Sequence, residues 1–385
     1  MTRPRRTRIL FYVQHLLGIG HQARAAAITR AMRRHGMDVY YVTGGFSETK
    51  QELSGAHIVQ LPPARSAGAT FGTLLDETGQ PIDAAWKARR REALLNAFES
   101  IQPDALLIES FPFGRRQFRF ELLPLLETAT GHIPIAASVR DILVAKNDPK
   151  RTQWVIDTVN AYFDAIIVHG DPNIAEFGDT FAGADRIADR LHYSGYVTSQ
   201  TEHTDSGDRS GVIVSAGGGA VGGQLLRTAI AARPLSQLSE APWHLITGPN
   251  LPQTDRDALF APQNVTIDTY IENFRDILCK VAVSVSQAGY NTVMDLFATR
   301  ARSVLVPFSQ HGETEQSHRA ELLARRGDVQ IVPEAKLSPI TLARAIDAAL
   351  EAPPPDPSGI DLGGAARTAE IMAKLVSGRS FTCRL

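Results

Sequence analysis

Residues 281–295 read Val281-Ala282-Val283-Ser284-Val285-Ser286-Gln287-Ala288-Gly289-Tyr290-Asn291-Thr292-Val293-Met294-Asp295. The β-branched run through Val285 predicts a buried strand, and the residues after Gly289 predict a helix. A strand that passes through glycine into a helix is one step of a parallel strand-helix-strand layer. It places a helix N-terminus at the strand's carboxyl end, where free backbone N–H groups favour an anion. Asn291 and Thr292 fall in the first turn, where side-chain donors and the helix dipole can hold a diphosphate. Asp295 follows one turn on from Asn291 and can accept from both hydroxyls of a ribose. Plain helix capping for Asn291 and Thr292, and dipole complementation for Asp295, fit the same residue types.

Outward from this stretch the same alternation runs through the chain twice. In the first half the apolar runs predict strands at 8–14, 38–43, 105–109, 133–139 and 165–169, with helices at 21–35, 84–101, 117–128 and 152–163. In the second half they predict strands at 211–215, 243–247, 265–267, 281–285 and 303–307, and a last helix at 363–376. Strands alternating with helices imply parallel sheets. The expected class is α/β, with two Rossmann-like parallel-sheet domains facing across a cleft. The expected boundaries are an N-terminal domain at 1–198, a polar linker at 199–210, a C-terminal domain at 211–361, and a helix and tail at 362–385 packing back on the first domain. The glycine- and alanine-rich stretch 62–81 has no clear period and predicts a long loop.

Three further stretches carry candidate chemistry. Gly18-Ile19-Gly20-His21 follows the first strand and opens the first helix. Ala23 breaks the G-x-G-x-x-G spacing of a dinucleotide site. His21 can take a proton from a hydroxyl near neutral pH, or it can merely pack at the helix start. Glu109, at a strand end, is placed to orient it. The loop Ser215-Ala216-Gly217-Gly218-Gly219-Ala220-Val221-Gly222-Gly223 leaves many N–H groups free to face a phosphate. After the strand ending at Pro307 comes Phe308-Ser309-Gln310-His311-Gly312-Glu313-Thr314-Glu315-Gln316, whose Glu315 and Gln316 can bond sugar hydroxyls or form a solvated helix start.

Composition excludes several classes. The chain has 385 residues, 43% hydrophobic and 21% charged, with formal net charge −1, so it lacks the basic footprint of a nucleic-acid binder. Its two cysteines, Cys279 and Cys383, cannot build a disulfide framework and fit a reducing compartment. The apolar run 9–13 is too short for a signal peptide, and no run reaches the length of a membrane span, so a cytoplasmic location is expected. No Asp-x-Asp or other metal motif stands out, and neither metal nor cofactor is expected. Two basic clusters remain: Arg3, Arg5, Arg6 and Arg8, and then Arg115, Arg116 and Arg119. Such clusters gain attraction at an anionic membrane, so peripheral contact with its inner face is expected. In Phe111-Pro112-Phe113-Gly114-Arg115-Arg116-Gln117, aromatics and arginines at a strand's carboxyl end are placed to receive an acceptor or an anionic headgroup.

Loop, helix start and acidic-Gln pair, in this order, resemble the donor half of GT-B nucleotide-sugar transferases. The chain looks most like the bacterial, family 28-like enzymes that add N-acetylglucosamine to a lipid-linked peptidoglycan precursor. Their Gly-rich loops and Pro-Phe segment are matched by 18–21, 217–223 and 307–316. Residues 287–295 are also similar to the His-Cys-Gly-Trp-Asn-Ser…Glu signature of plant UDP-sugar transferases. The resemblance implies that Gly217, Gly218, Gly219, Asn291 and Thr292 hold a donor diphosphate, with Gln287 and Gly289 in the same donor set. It implies that Asp295 holds the ribose and that Glu315 and Gln316 hold the sugar. His21 would be the base, with Gly18, Gly20, Arg115 and Arg116 on the acceptor side. Gln287 departs from the plant histidine, and Arg319 stands where an asparagine is common, so the donor sugar does not carry over. The implied activity is inverting, metal-independent transfer from a UDP-sugar (UDP-N-acetylglucosamine or a UDP-hexose) to a hydroxyl acceptor, lipid-linked or polysaccharide. A UDP-sugar hydrolase or 2-epimerase, or a non-catalytic nucleotide-sugar binder, would carry the same motifs.

Overall fold

The computed structural model describes residues 5–16, 20–46, 53, 55–66, 73–144, 148–198, 207–218, 221–310 and 313–379. Gly18, Gly219, His311, Gly312, Cys383 and most of the expected linker lie outside the described residues. The chain divides into two compact units, the first formed by Met1–Ser199 with Asp361–Leu385 and the second by Gln200–Ile360.

The first unit runs β1 (Arg8–Val13), α1 (Gly20–Arg34), β2 (Asp38–Thr43), β3 (His57–Gln60), β4 (Arg65–Ser66), β5 (Leu74–Leu75), α2 (Ala84–Ile101), β6 (Ala105–Glu109), α3 (Arg119–Ala129), β7 (Ile135–Arg140), α4 (Pro149–Tyr162), β8 (Ala165–His169) and β9 (Leu191–Tyr193). Seven strands form one parallel sheet in the order β3-β2-β1-β6-β7-β8-β9, and β4 and β5 pair as a small hairpin inside the expected long loop. The unbroken apolar run of β1 follows from burial on both faces. Leu10 and Tyr12 face a core with Leu94 of α2, Leu122 of α3 and Val155 of α4. Ile9, Phe11 and Val13 face the other core with Ile28 and Met32 of α1.

The second unit runs β10 (Val212–Ser215), α5 (Gly223–Ala232), β11 (Trp243–Ile246), α6 (Gln253–Asp257), β12 (Val265–Asp268), α7 (Phe274–Leu278), β13 (Val283–Ser286), α8 (Tyr290–Thr299), β14 (Ser303–Leu305), α9 (Glu315–Arg325), β15 (Gln330–Ile331) and α10 (Pro339–Glu351). Its six-stranded parallel sheet has the order β12-β11-β10-β13-β14-β15. Sequence sets the helix starts: Ser338 and Thr341 form a reciprocal capping box on α10, and Pro339 follows the cap. The last helix, α11 (Gly364–Arg379), belongs to the first unit, where Ala365, Ala369 and Met372 join the core of α1. The chain enters it beside Gly195, whose φ is +80° and where a Cβ would meet the Asp361 carboxyl carbon at 2.5 Å.

The strands absent from the sequence expectation are β3, β9 and β15 at sheet edges and the β4-β5 hairpin. Edge strands are wetted along one side and need no continuous apolar run, so their periodicity is weak. Both sheets reverse strand order at one place, between β1 and β6 and between β10 and β13. Ligands of open α/β sheets bind outside the carboxyl ends of strands at such a reversal.

Candidate active site

In the first unit, the reversal puts the start of α1 beside the end of β6. His21 Nδ1 lies 2.7 Å from Glu109 Oε1. The same oxygen accepts from Arg24 Nη2 and, at 2.8 Å, from Ser110 Oγ. Glu109 is fully buried, and its Oε2 has no hydrogen-bond partner. Burial pushes the Glu109 carboxyl up, but His21, Arg24 and Arg115 outweigh it and hold the group well below the usual carboxylate range. An ionised carboxylate only accepts, so the proton between the pair sits on His21 Nδ1. That fixes the tautomer with the lone pair on Nε2, which makes no hydrogen bond among the described residues. Burial is the largest influence on His21; Glu109 pulls against it and Arg115 and Arg24 reinforce it, so the pKa falls to about 4. At neutral pH the imidazole is uncharged, the form that accepts a proton. The His21 side chain is 19% exposed, enough to meet a ligand.

Beneath this edge lies a closed polar cluster. Arg90 and Glu121 are both fully buried, with Nε 2.8 Å from Oε2. Arg90 Nη1 donates to the carbonyls of Gly44 at 3.0 Å and Pro62 at 2.6 Å, and Nη2 donates to Tyr12 Oη and Gln14 Oε1. Every N–H of the guanidinium has an acceptor. The Gln14 carbonyl in turn receives Arg115 Nε at 2.7 Å. Deeper still, His169 bridges Ser138 and Ser194 at 2.7 and 2.9 Å, and burial lowers its pKa to about 3.

The Phe111–Phe113 segment corrects one expectation. Both phenylalanines are buried, Phe111 edge-on to Trp154 and Phe113 against Phe177 and Phe181. The aromatics anchor the loop internally instead of receiving a ligand.

In the second unit the three expected motifs converge. Ser215 pairs with Ser286 across β10 and β13, so the loops that follow are neighbours. Gln287 Nε2 donates to the Val221 carbonyl. Gly217 adopts φ +67°, and its carbonyl closely approaches Gly248. α5 and α8 begin at Gly222 and Gly289 with no side-chain cap hydrogen bond, and the Asp255 carboxylate lies close to Gly223 at the start of α5. A Cβ at Gly289 would meet nothing nearer than Thr292 Oγ1 at 4.0 Å, so there is open space over that helix mouth. A cavity of about 230 Å³ is lined by Gly222, Gly223, Gln287, Phe308, Gln310 and Glu334.

The expected sugar and ribose ligands are partly engaged. Gln316 Oε1 accepts from the Ala288 and Phe308 N–H groups, both at 3.1 Å, tying two motif loops together. Glu315 is buried and pairs with Arg319 at 3.0 Å, while Arg319 lies over the Tyr290 ring. Asp295 Oδ1 pairs with Arg275 Nε at 2.5 Å, leaving Oδ2 without a hydrogen bond among the described residues. Asn291 and Thr292 lie in the first turn of α8. The sequence reading missed Arg24, Arg275, Glu334 and Arg90. Arg24 was legible as the residue three on from His21 on the same helix face. Arg275 and Arg90 pair with residues far away in sequence, and no local pattern announces them.

Residues 213–357 match the glycosyltransferase family 28 C-terminal domain. A curated relative, the UDP-N-acetylglucosamine–N-acetylmuramyl-(pentapeptide) pyrophosphoryl-undecaprenol N-acetylglucosamine transferase of Exiguobacterium sp., is 30% identical over 141 residues, 36% of this chain and 39% of the relative. The chain spans less than half of the length of the curated relatives it matches. Among solved structures, the calicheamicin glycosyltransferase CalG4 is 16% identical with TM-score 0.61, covering 99% of this chain and 100% of its own. MurG of Acinetobacter baumannii is 15% identical with TM-score 0.58, covering 95% of this chain and 99% of its own. These likenesses show the GT-B fold.

Proposed function

We propose that this chain is a glycosyltransferase that moves a sugar from a UDP-sugar to an acceptor hydroxyl, with inversion and without a metal. The observation that carries the reading is the convergence, at one sheet reversal of the second unit, of two uncapped glycine-started helices and the Gly217 loop. Helix mouths of this kind favour a diphosphate. The match of 213–357 to a family 28 domain gives the donor class its context.

The second unit's role is to hold the donor. The N–H groups at Gly217 and at the start of α8 meet the diphosphate, whose charge grows as the bond to the sugar breaks. These fixed dipoles do the work a metal would otherwise do, so turnover in EDTA equals turnover without it. Asp295 Oδ2 accepts from the ribose and Gln316 contacts the sugar, whereas Glu315, expected beside it, is buried against Arg319 and holds the start of α9 instead. The first unit's role is to activate the acceptor. Its hydroxyl gives a proton to His21 Nε2 and attacks the anomeric carbon as the bond to the diphosphate breaks on the opposite face. Glu109 keeps the His21 tautomer and steadies the imidazolium that forms.

The Exiguobacterium relative's printed name specifies a lipid-linked acceptor; the basic residues expected to favour a membrane surface are engaged within the first unit, Arg5 with Asp104, Arg6 with Asp38 and Arg8 with the Ile101 carbonyl. No helix among the described residues is long and apolar enough to cross a membrane. The test is a panel of UDP-sugars offered with membrane-lipid and soluble extracts, with product mass measured. A new glycoside supports the reading; release of UDP without any acceptor, or no UDP binding by calorimetry, overturns it.

A further inference from the structure

Ser110, the residue after Glu109 at the end of β6, stands at φ +65°. That is the left-handed region, which glycine enters freely and where asparagine, aspartate and histidine are the side chains most often tolerated. A serine there is strained. The surroundings hold it in place from both sides. Its N–H donates to the Ser138 carbonyl of β7 at 2.8 Å, and its carbonyl accepts from the Gly114 N–H at 2.6 Å. The next residue, Phe111, is fully buried and edge-on to Trp154. Glycine would make the same two backbone bonds without strain. What serine adds is a hydroxyl.

That hydroxyl reaches the carboxylate beside the base. Ser110 Oγ lies 2.8 Å from Glu109 Oε1, and an ionised carboxylate only accepts, so the hydroxyl donates. Oε1 thereby gathers three donors: Ser110 Oγ, Arg24 Nη2 and, at 2.7 Å, His21 Nδ1. Glu109 Oε2 takes none. Each donor draws charge from Oε1 and fixes its place, so the oxygen holds the Nδ1–H without gripping an imidazolium too strongly. The charged groups that face His21 are Glu109 at the end of β6, Arg24 on α1 and Arg115 in the loop after β6, with Arg140 of β7 acting in turn on Arg115. Ser110 is neutral and half-buried, so replacing it alters one hydrogen bond without stranding a charge.

We propose that Ser110 is a positioning residue of the His21–Glu109 pair: its hydroxyl fixes Glu109 Oε1 against His21 Nδ1, and the left-handed backbone is retained because it aims the hydroxyl at the carboxylate. The inference rests on the reading of His21 as the base and adds the residue that sets how readily it takes a proton.

The experiment titrates the full chain, with its histidines labelled with nitrogen-15, by nuclear magnetic resonance and without ligand, using His21→Gln to assign the His21 signals. In the wild type, Nδ1 carries the proton and Nε2 is bare at neutral pH, with a midpoint of about 4. In Ser110→Ala, Oε1 has lost a donor and accepts more strongly from the imidazolium, so the midpoint rises by at least about half a pH unit. Ser110→Gly shows the same rise, yet melts at a higher temperature than Ser110→Ala, because both lack the hydroxyl and glycine alone is unstrained at this φ. A midpoint that Ser110→Ala leaves in place overturns the proposal. So does a Ser110→Gly protein with the wild-type midpoint, which would assign the shift to the backbone, and so do equal melting temperatures, which would deny the strain. If the His21 midpoint answers to Ser110 while His21→Ala keeps full turnover with the UDP-sugar panel, the positioning stands and the reading of His21 as the base falls.

Discussion

The two parallel sheets treat the charges at their reversals in opposite ways. In the second unit the expected ligand carboxylates are matched with arginines of the same unit: Glu315 with Arg319, and one oxygen of Asp295 with Arg275. In the first unit the His21–Glu109 pair has an open ring nitrogen, and among the described residues Arg115, Arg116 and Arg151 make no hydrogen bond to a carboxylate side chain. The first unit also holds its own contrast, because the guanidinium of the buried Arg90–Glu121 pair is saturated on every donor. A saturated buried pair shapes the backbone. An unsaturated one at the same sheet edge is where a substrate can enter the hydrogen bonding, because an unmet polar group is what a ligand can satisfy.

Each half of that contrast can be broken. The largest effect is expected from the saturated cluster: Arg90→Met strands the fully buried Glu121 and the Gly44 and Pro62 carbonyls, lowering stability by about 3–5 kcal/mol in denaturant titration. A loss below about 1 kcal/mol would show that the cluster is not structural. His21→Ala should do the reverse, with turnover down about 10²–10⁴-fold and the melting midpoint and UDP affinity nearly unchanged. Turnover that survives would remove His21 from the chemistry.

The third expectation concerns pH. His21 and His169 have folded pKa values near 4 and 3, below the ordinary 6.5. The folded state therefore holds fewer protons than the unfolded chain between these values. Stability should decline as pH falls from about 6.5, by up to about 1.4 kcal/mol per pH unit for each histidine, and the decline should stop only below the folded values. His169→Gln should remove roughly half of that slope. kcat/KM should stay flat down to about pH 5 and fall as His21 protonates. Arg115→Gln removes a cation that disfavours imidazolium, so the acid limb should move to higher pH; a limb that stays put would deny Arg115 its influence on the base. The smallest effect is expected from Asp295→Asn: about 1 kcal/mol in stability, because the amide oxygen keeps an acceptor for Arg275 in this largely buried pair, and roughly tenfold weaker UDP binding through the ribose.

Particular residues show how far the sequence reached. Gly289 after a β-branched run and before an amphipathic stretch announced a strand and a helix mouth, because both follow from neighbours along the chain. His21 after the first strand and Glu109 at the end of a later one were each legible as ends of elements. That Gln287 meets Val221, or that Gln316 ties Ala288 to Phe308, is register across β10, β13 and β14, which no local window contains.

By itself, then, the sequence determined that strands and helices alternate twice and which residue types stand at the strand ends, since periodicity and glycine placement act over a few residues. Only the tertiary structure decided which charges are matched. Arg90 and Glu121 lie 31 residues apart, and Arg115 and Gln14 lie 101 apart. The same burial that leaves His21 uncharged at neutral pH turned Phe111 and Phe113 inward. Desolvation depends on what surrounds a group in space, and neighbours along the chain do not carry that information.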